Sequence, residues 1–245
     1  MISYRILERA YSWSESTRPT TEPTDIFLLA SISKMFLEAV IQILFNDGKL
    51  ESSTKAYPLL GYSNPPDARL TEITIQDLLD HYGGLDDSIS GFDPAYNMGE
   101  IAIAEGTQGA PATIKNIVDY MFQQPLQHDP GTVYAYSNYG YILLSYVVEK
   151  VTGTDYYSYL SSAVLQPGGY DVQKWVTSPA AHVNDRITQE SQYTGWNAAE
   201  PLSTALIADI FGGDGMYKED DFGGCALAAS ASTLVDFIHT HGTSI

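Results

Sequence analysis

Ser31 and Lys34 stand three residues apart at the head of an apolar run, Phe27 to Gly48, so that on a helix one side chain reaches the other. A serine hydroxyl is a weak nucleophile until a neighbouring base takes its proton, and a lysine serves as that base only after giving up its own. A lysine in water has a pKa of about 10.4, so working near pH 7 requires a fall of roughly three units, a size that burial in an apolar helix can supply. A serine at a helix N-terminus also brings its backbone N–H toward whatever it attacks, the beginning of an oxyanion hole. The plainer alternative is a lysine that snorkels to the surface and a serine that caps the helix. A second constellation, Tyr136-Ser137-Asn138, adds a hydroxyl that can relay a proton and an amide that can hold a substrate carbonyl or the lysine.

Both patterns occur twice. Ser52-Ser53-Thr54-Lys55 repeats the Ser-x-x-Lys spacing, but it lies in a polar stretch before Pro58 with no apolar run to bury its lysine, and it reads as a solvated loop. Tyr62-Ser63-Asn64 repeats Tyr-x-Asn but runs into Pro65-Pro66, whereas Tyr136 follows the Pro130-Gly131 turn and opens an amphipathic helix, a rigid platform for a working side chain. In a chain with 18 tyrosines the motif alone is weak, and a half-buried packing tyrosine is the plainer alternative for Tyr136.

The elements that must position these residues follow from periodicity. Ile2 to Trp13 alternates with one phase slip and reads as a strand with a bulge, and Ser14 to Thr24 as a loop. The Phe27–Gly48 stretch reads as an apolar approach and a buried helix, apolar on nearly every side, stopped by Asn46-Asp47-Gly48. Thr74 caps a short helix to Asp80, and Gly, Asp and Ser between 83 and 112 give a long loop. Helices are expected over Thr113–Gln123, from Tyr136-Ser137-Asn138 to Gly153, from a Thr154-Asp155 cap to Val164, over Leu202–Phe211 and near Ser232–Thr240. A strand is expected over Gln173–Thr177 and irregular chain over Ala180–Pro201. No internal repeat or low-complexity linker is present.

Composition excludes several function classes. Twelve basic against 30 acidic residues give a formal charge of −18, which repels phosphate backbones and anionic lipid surfaces, so nucleic-acid and membrane-surface binding are not expected. The single cysteine, Cys225, can make neither an internal disulfide nor a thiolate zinc cluster, and amid Gly, Ala and Leu it reads as a small buried hydrophobe. The longest apolar runs fall short of a membrane span, and no basic-then-apolar leader is evident, so an exported form is expected to have its signal outside this sequence. Asn-x-Ser/Thr is absent, and the compartment is left open. With 245 residues there is enough chain for one large domain or two interleaved lobes.

In order along the chain, five blocks carry a resemblance. They are Leu29-Ala30-Ser31-Ile32-Ser33-Lys34, then Asn46-Asp47-Gly48-Lys49-Leu50, then Asp77 to Leu85, then Pro130 to Asn138, and more loosely Gly223-Gly224 with Ser230 to Phe237. Together they resemble the signature blocks of the serine β-lactamase-related family, which spans class C β-lactamases, D-aminopeptidases, D-alanyl-D-alanine carboxypeptidases and related esterases, and is often secreted or periplasmic. The resemblance implies an α+β fold of the β-lactamase/transpeptidase type, a helical lobe (about 50–205) beside an α/β lobe with an antiparallel sheet (1–30 and about 210–245), the helix 31–47 lying between. It implies Ser31 as acylated nucleophile, Lys34 as its base, Tyr136 as proton shuttle to the leaving group and Asn138 as the residue that orients substrate, with no metal or other cofactor. His81 falls in a structural block and is not expected to be catalytic.

Two departures stand against it. The family carries a third motif, Lys-Thr-Gly or His-x-Gly, on a strand downstream of Tyr-x-Asn that supplies the second oxyanion N–H. No Lys-Ser/Thr-Gly occurs here, His81-Tyr82-Gly83 precedes Tyr136, and His241-Gly242 falls where a helix should be ending. The N-terminal part is also shorter than in relatives. The sheet is therefore expected to be incomplete, through truncation, completion by a second chain, or a modified fold. The function these features favour is a serine hydrolase acting through an acyl-enzyme on a small-molecule ester, amide or lactam, an esterase or amidase before a true β-lactamase. The competing class is a non-catalytic scaffold or binding protein that keeps the fold without the third motif. A metal hydrolase built on His239 and His241 lacks neighbouring ligands. The substrate depends on loops such as 83–112 and 180–200 and is not legible.

Overall fold

In a computed structural model of the chain, residues 9, 22–175, 193–220 and 223–242 are described. The N-terminal strand expected over Ile2–Trp13 and most of the irregular 180–201 stretch lie outside them. The architecture is a group of helices around one long buried helix, set against a small antiparallel sheet.

The chain enters through strand β1 (Phe27–Leu28) and a 3₁₀ turn at Ala30–Ile32, and then runs into helix α1 (Ser33–Asn46). Phe36, Leu37, Val40, Ile41 and Leu44 of α1 are fully buried, as expected for a helix apolar nearly all round. Gly48 follows at φ +66, the left-handed conformation glycine adopts without a Cβ penalty. Helices α2 (Ala56–Leu60) and α3 (Ile75–Leu79) come next, the latter with a reciprocal Thr74/Asp77 capping box. The 83–112 stretch is not the plain loop expected: it holds α4 (Asp87–Ser90) and α5 (Met98–Ala104). Four and seven residues are too few for periodicity to declare a helix.

Helix α6 (Ile114–Met121) is boxed by Thr113 and Asn116, and α7 (Asn138–Thr152) starts at the Ser137 cap and ends at left-handed Gly153. Helix α8 (Tyr156–Leu160), capped by Asp155, continues through a π-helical turn (Ser161–Leu165) into the short α9 (Gln166–Gly168). Helices α1, α2, α3, α6 and α8 all pack on α7, which buries nine of its 15 residues and so forms the axis of the core.

Strand β2 (Val172–Lys174) is followed, after the undescribed stretch, by β3 (Thr194–Trp196) and β4 (Leu206–Ala208). The helix expected over Leu202–Phe211 does not form. Leu206, Ile207 and Ala208 pair antiparallel with Trp196, Gly195 and Thr194, and a 3₁₀ turn at Asp209–Phe211 stops at Gly212. A short apolar run is helix or strand according to the partner it finds, and here a partner strand was available. Strand β5 (Leu227–Ala229) leads into α10 (Ala231–His241), capped by Ser230.

The main sheet has the order β1-β5-β2, with Phe27 opposite Ala229 on one side and Val172 opposite Ala229 on the other. Strand β2 thus joins this sheet from within the 50–205 stretch. All three β5 residues are buried, and small Ala228 and Ala229 let neighbouring elements approach. Leu227 also anchors the start of α1: its carbonyl accepts from the Leu29 N–H at 2.8 Å and its N–H donates to Ser33 Oγ at 3.2 Å. The turn that carries Ser31 is therefore fastened to the central strand from both sides.

Candidate active site

Ser31 occupies the middle of the 3₁₀ turn rather than the first turn of the α-helix itself. A 3₁₀ turn has three residues per turn and eclipses i with i+3, so the tighter geometry still stacks Ser31 with Lys34, the second residue of α1. Ala30, just before the serine, has φ +46, a left-handed conformation that costs a residue with a Cβ roughly 1–3 kcal/mol when held by its surroundings. Leu227 and Ser33 supply that hold.

Lys34 is only 5% exposed. Its ammonium has three protons and meets three acceptors: Asn138 Oδ1 at 2.9 Å, the Gly224 carbonyl at 3.0 Å and Ser31 Oγ at 3.4 Å. It also lies over the rings of Tyr136 and Tyr141, 5.0 and 5.3 Å from their centroids. The Gly224 carbonyl reaches it because Gly223 lets the chain pass against α7; a Cβ there would collide with Ser145 Oγ, Leu37 and the Tyr141 carbonyl.

The Tyr136 hydroxyl donates to Ser31 Oγ at 2.6 Å, while its ring is 40% exposed at the mouth of the site. Ser137, between Tyr136 and Asn138, is the helix cap, accepting the Gly140 N–H at 3.3 Å in an extended conformation. That cap accounts for the Tyr-x-Asn spacing: Tyr136 lies before the helix and Asn138 begins it. The structure thus brings together all four residues singled out by sequence, Ser31, Lys34, Tyr136 and Asn138, around one serine oxygen and one ammonium.

Four further groups surround them. Asp93, in the segment between α4 and α5, accepts from Asn138 Nδ2 at 2.7 Å. Glu38, one turn beyond Lys34, accepts from the Tyr141 hydroxyl at 2.5 Å. Burial raises the carboxyl of each above the ordinary range, opposed in each case by its hydrogen bonds and by the Lys34 charge. Lys34 therefore has no carboxylate in direct contact among its bonds, but feels two, each one residue removed. His81, at φ +62, packs at a tilt against Tyr136 and Tyr141 with centroids 4.5 and 5.2 Å apart, and its Nδ1 accepts the Ser137 N–H at 3.2 Å. Burial, then the Lys34 charge, pulls its imidazole down to about 4, so it is a neutral ring near pH 7. The fourth is the Gly224 carbonyl. His81 and Gly224 lie in the motif blocks with no site role legible there, Glu38 carries only its i+4 spacing from Lys34, and Asp93 has no signal.

The second copies are placed elsewhere. Lys55 pairs with Glu72 at 2.6 Å on the surface, and the Tyr62 hydroxyl donates to Asp119. A cavity of about 370 Å³ opens beside Asn138, walled by Leu85, Phe92, Asp93, Tyr120 and Met121 among others; Ser31 and Lys34 do not line it. Among the described residues no three or more His, Cys, Asp or Glu cluster as metal ligands, and His241 stacks on Phe237 at the end of α10. Among them, too, no helix is long and apolar enough to cross a membrane.

Comparisons with known proteins give the family and the fold. The family model described as Beta-lactamase matches residues 5–244. Penicillin-binding protein 4* of Bacillus subtilis (strain 168) is 27% identical over 172 residues, covering 67% of this chain and 34% of that protein. A putative D-alanyl-D-alanine carboxypeptidase of Escherichia coli (strain K12) is 30% identical over 149 residues, covering 59% of this chain and 32% of its own length. The chain thus spans about a third of the length of these curated relatives. Among solved structures, EstCE1, a hydrolase with promiscuous acyltransferase activity, superposes with a TM-score of 0.64, at 19% identity, over 93% of this chain and 61% of its own.

Proposed function

The chain belongs to the Beta-lactamase family, and from that premise we propose that it is a serine hydrolase that works through an acyl-enzyme on Ser31. The observation that carries this reading is the convergence on one oxygen: Ser31 Oγ lies 2.6 Å from the Tyr136 hydroxyl and 3.4 Å from Lys34 Nζ. With both neighbours protonated, both donate to the serine, which is a resting arrangement. Attack requires that one of them has released its proton and can accept that of Ser31.

The Ser31 proton then passes to Lys34 or Tyr136 as the Oγ–carbon bond forms and the carbonyl oxygen becomes an oxyanion near the helix N-terminus. The tetrahedral adduct collapses, the bond to the leaving group breaks, and Tyr136 delivers a proton to the departing oxygen or nitrogen. Water attacks the resulting ester along the same path in reverse, releasing the acid and restoring Ser31. Asn138 holds Lys34 through Oδ1 and, with one amide N–H given to Asp93, has the other to offer a substrate carbonyl.

The substrates proposed are small esters and amides, ahead of β-lactams. The third motif that would bring a second oxyanion N–H is missing from this sequence. Loss of one such donor costs about 10²–10³ in rate, so the proposed activity of these 245 residues is weak and rises when a second chain or a further segment completes the sheet. The same absence favours one other reading, a binding protein that keeps the fold without turnover. Hydrolysis of a p-nitrophenyl ester, an anilide and a penicillin, each compared with Ser31→Ala, separates the two. Serine-dependent turnover is expected to be fastest on the ester, whereas rates equal to those of Ser31→Ala on all three support the binding protein.

A further inference from the structure

The Asn138 amide poses a problem that the mechanism leaves open. An amide can turn by 180° and exchange its oxygen for its nitrogen at little intrinsic cost, so something must decide which end faces Lys34. Lys34 offers only donors and selects Oδ1. On the other side, Nδ2 meets Asp93 Oδ2 at 2.7 Å, and an ionised carboxylate only accepts. Turning the amide would set donor against donor at Lys34 and acceptor against acceptor at Asp93.

Asp93 is itself held from three directions. Its Oδ1 accepts the Ala95 N–H at 3.0 Å, and its carbonyl accepts the Tyr96 N–H at 3.1 Å and Asn97 Nδ2 at 2.7 Å. Pro94 and Ala95, which follow it, are buried. Two N–H donors thus face two carboxylate oxygens, a requirement an amide cannot meet, because its nitrogen would oppose one of them. Asp93 touches neither Ser31 nor Lys34 through any of these bonds.

We propose that Asp93 is a positioning residue for the Ser31–Lys34 centre, fixing the Asn138 amide so that its oxygen holds Lys34 and its second N–H is left for a substrate carbonyl. This rests on the reading of Ser31 as the nucleophile. Asp93 reaches the reacting serine through two side chains, Asn138 and then Lys34. A carboxylate set in a loop by backbone bonds thereby controls the orientation of a lysine on the opposite element.

The test is a double-mutant cycle on the rate of Ser31 labelling by a fluorophosphonate, using the full chain with Asp93→Ala, Asn138→Ala and both changes together, and Asp93→Asn as a variant that preserves shape. Labelling is expected to fall about 10²-fold in Asp93→Ala and in Asp93→Asn, the size expected when a reacting group is misplaced by about 1 Å. In the Asn138→Ala background, removal of Asp93 is expected to change the rate less than about threefold, since the two act as one unit. Thermal melting of each variant checks that it is folded, and Asp93→Asn carries the test if Asp93→Ala is not. Equal losses from Asp93→Ala in both backgrounds, or an undiminished rate in Asp93→Asn, would overturn the proposal while leaving the nucleophile in place. Wild-type protein that takes no label on Ser31 overturns the functional reading, and this one with it.

Discussion

Two Ser-x-x-Lys sequences lie 21 residues apart in this chain, one centred on Ser31 and Lys34 and the other on Ser52 and Lys55, and their surroundings share almost nothing. Lys34 is buried and its ammonium is shared among a serine, an amide and a backbone carbonyl. Lys55 is exposed and paired with Glu72 across the surface, an arrangement worth about 0–1 kcal/mol. Tyr136-Ser137-Asn138 and Tyr62-Ser63-Asn64 differ in the same way. The first straddles a helix cap and supplies two side chains to one site, while in the second Tyr62 bonds Asp119 and Asn64 sits in a left-handed loop conformation. Spacing places two side chains on one face; a buried helix and a second element that closes over it make them a site.

The contrast is broken most severely at the serines. Ser31→Ala is expected to remove all serine-dependent turnover of an activated ester, down to the uncatalysed background, and Ser52→Ala to leave it unchanged. Steady-state kinetics on the two proteins side by side provide the check.

At the lysines the effect is smaller and has two parts. Lys34→Ala is expected to cost about 10²–10⁴ in acylation rate. It also strands the Gly224 carbonyl and Asn138 Oδ1, for about 1–3 kcal/mol of stability visible in denaturant melts. Lys55→Ala is expected to stay within about 1 kcal/mol and to keep full activity. At the tyrosines, Tyr136→Phe removes the hydroxyl bonded to Ser31 and is expected to slow turnover by about 10² or more. Tyr62→Phe gives up a bond to Asp119 and should register only as a stability change of about 0.5–3 kcal/mol in thermal melts.

The smallest effect concerns pH. His81 titrates near 4 in the folded chain, below its ordinary value of 6.5, so between those values the unfolded chain binds more protons. Stability from this group is accordingly lost as pH falls from about 6.5 toward 4 and regained as pH rises. His81→Asn, which tolerates the positive φ, is expected to flatten that part of the stability curve; Glu38 and Asp93, whose carboxyls are raised, slope the opposite way and remain in both proteins. The difference between the two denaturation series isolates the imidazole.

The long amphipathic elements were legible because their ends are marked: α7 shows a start at Ser137 and a stop at Gly153, and α6 a start at Thr113, while α10, expected near Ser232–Thr240, begins at its Ser230 cap. The 206–208 segment was not, since an apolar run of that length becomes strand only when Thr194–Trp196 pairs with it, a partner far from any local signal. The same division holds at the site. Ser31, Lys34, Tyr136 and Asn138 were legible from ordered motif blocks and from an apolar or helix-opening context that their second copies lack. Asp93 lies 45 residues from Asn138 and the Gly224 carbonyl 190 from Lys34, contacts fixed by tertiary packing and, for Gly224, made by a backbone atom that any residue type would carry.

The central claim is that burial and partners, rather than spacing, make a nucleophile of Ser31. Its most direct test is intact-mass and peptide mass spectrometry of the chain after exposure to a fluorophosphonate and, separately, to a penicillin, with Ser31→Ala and Lys34→Ala alongside. A single adduct is expected on Ser31, none on Ser52, and its loss in both variants. A folded wild-type chain that takes no adduct, or one labelled equally on Ser52, would contradict it.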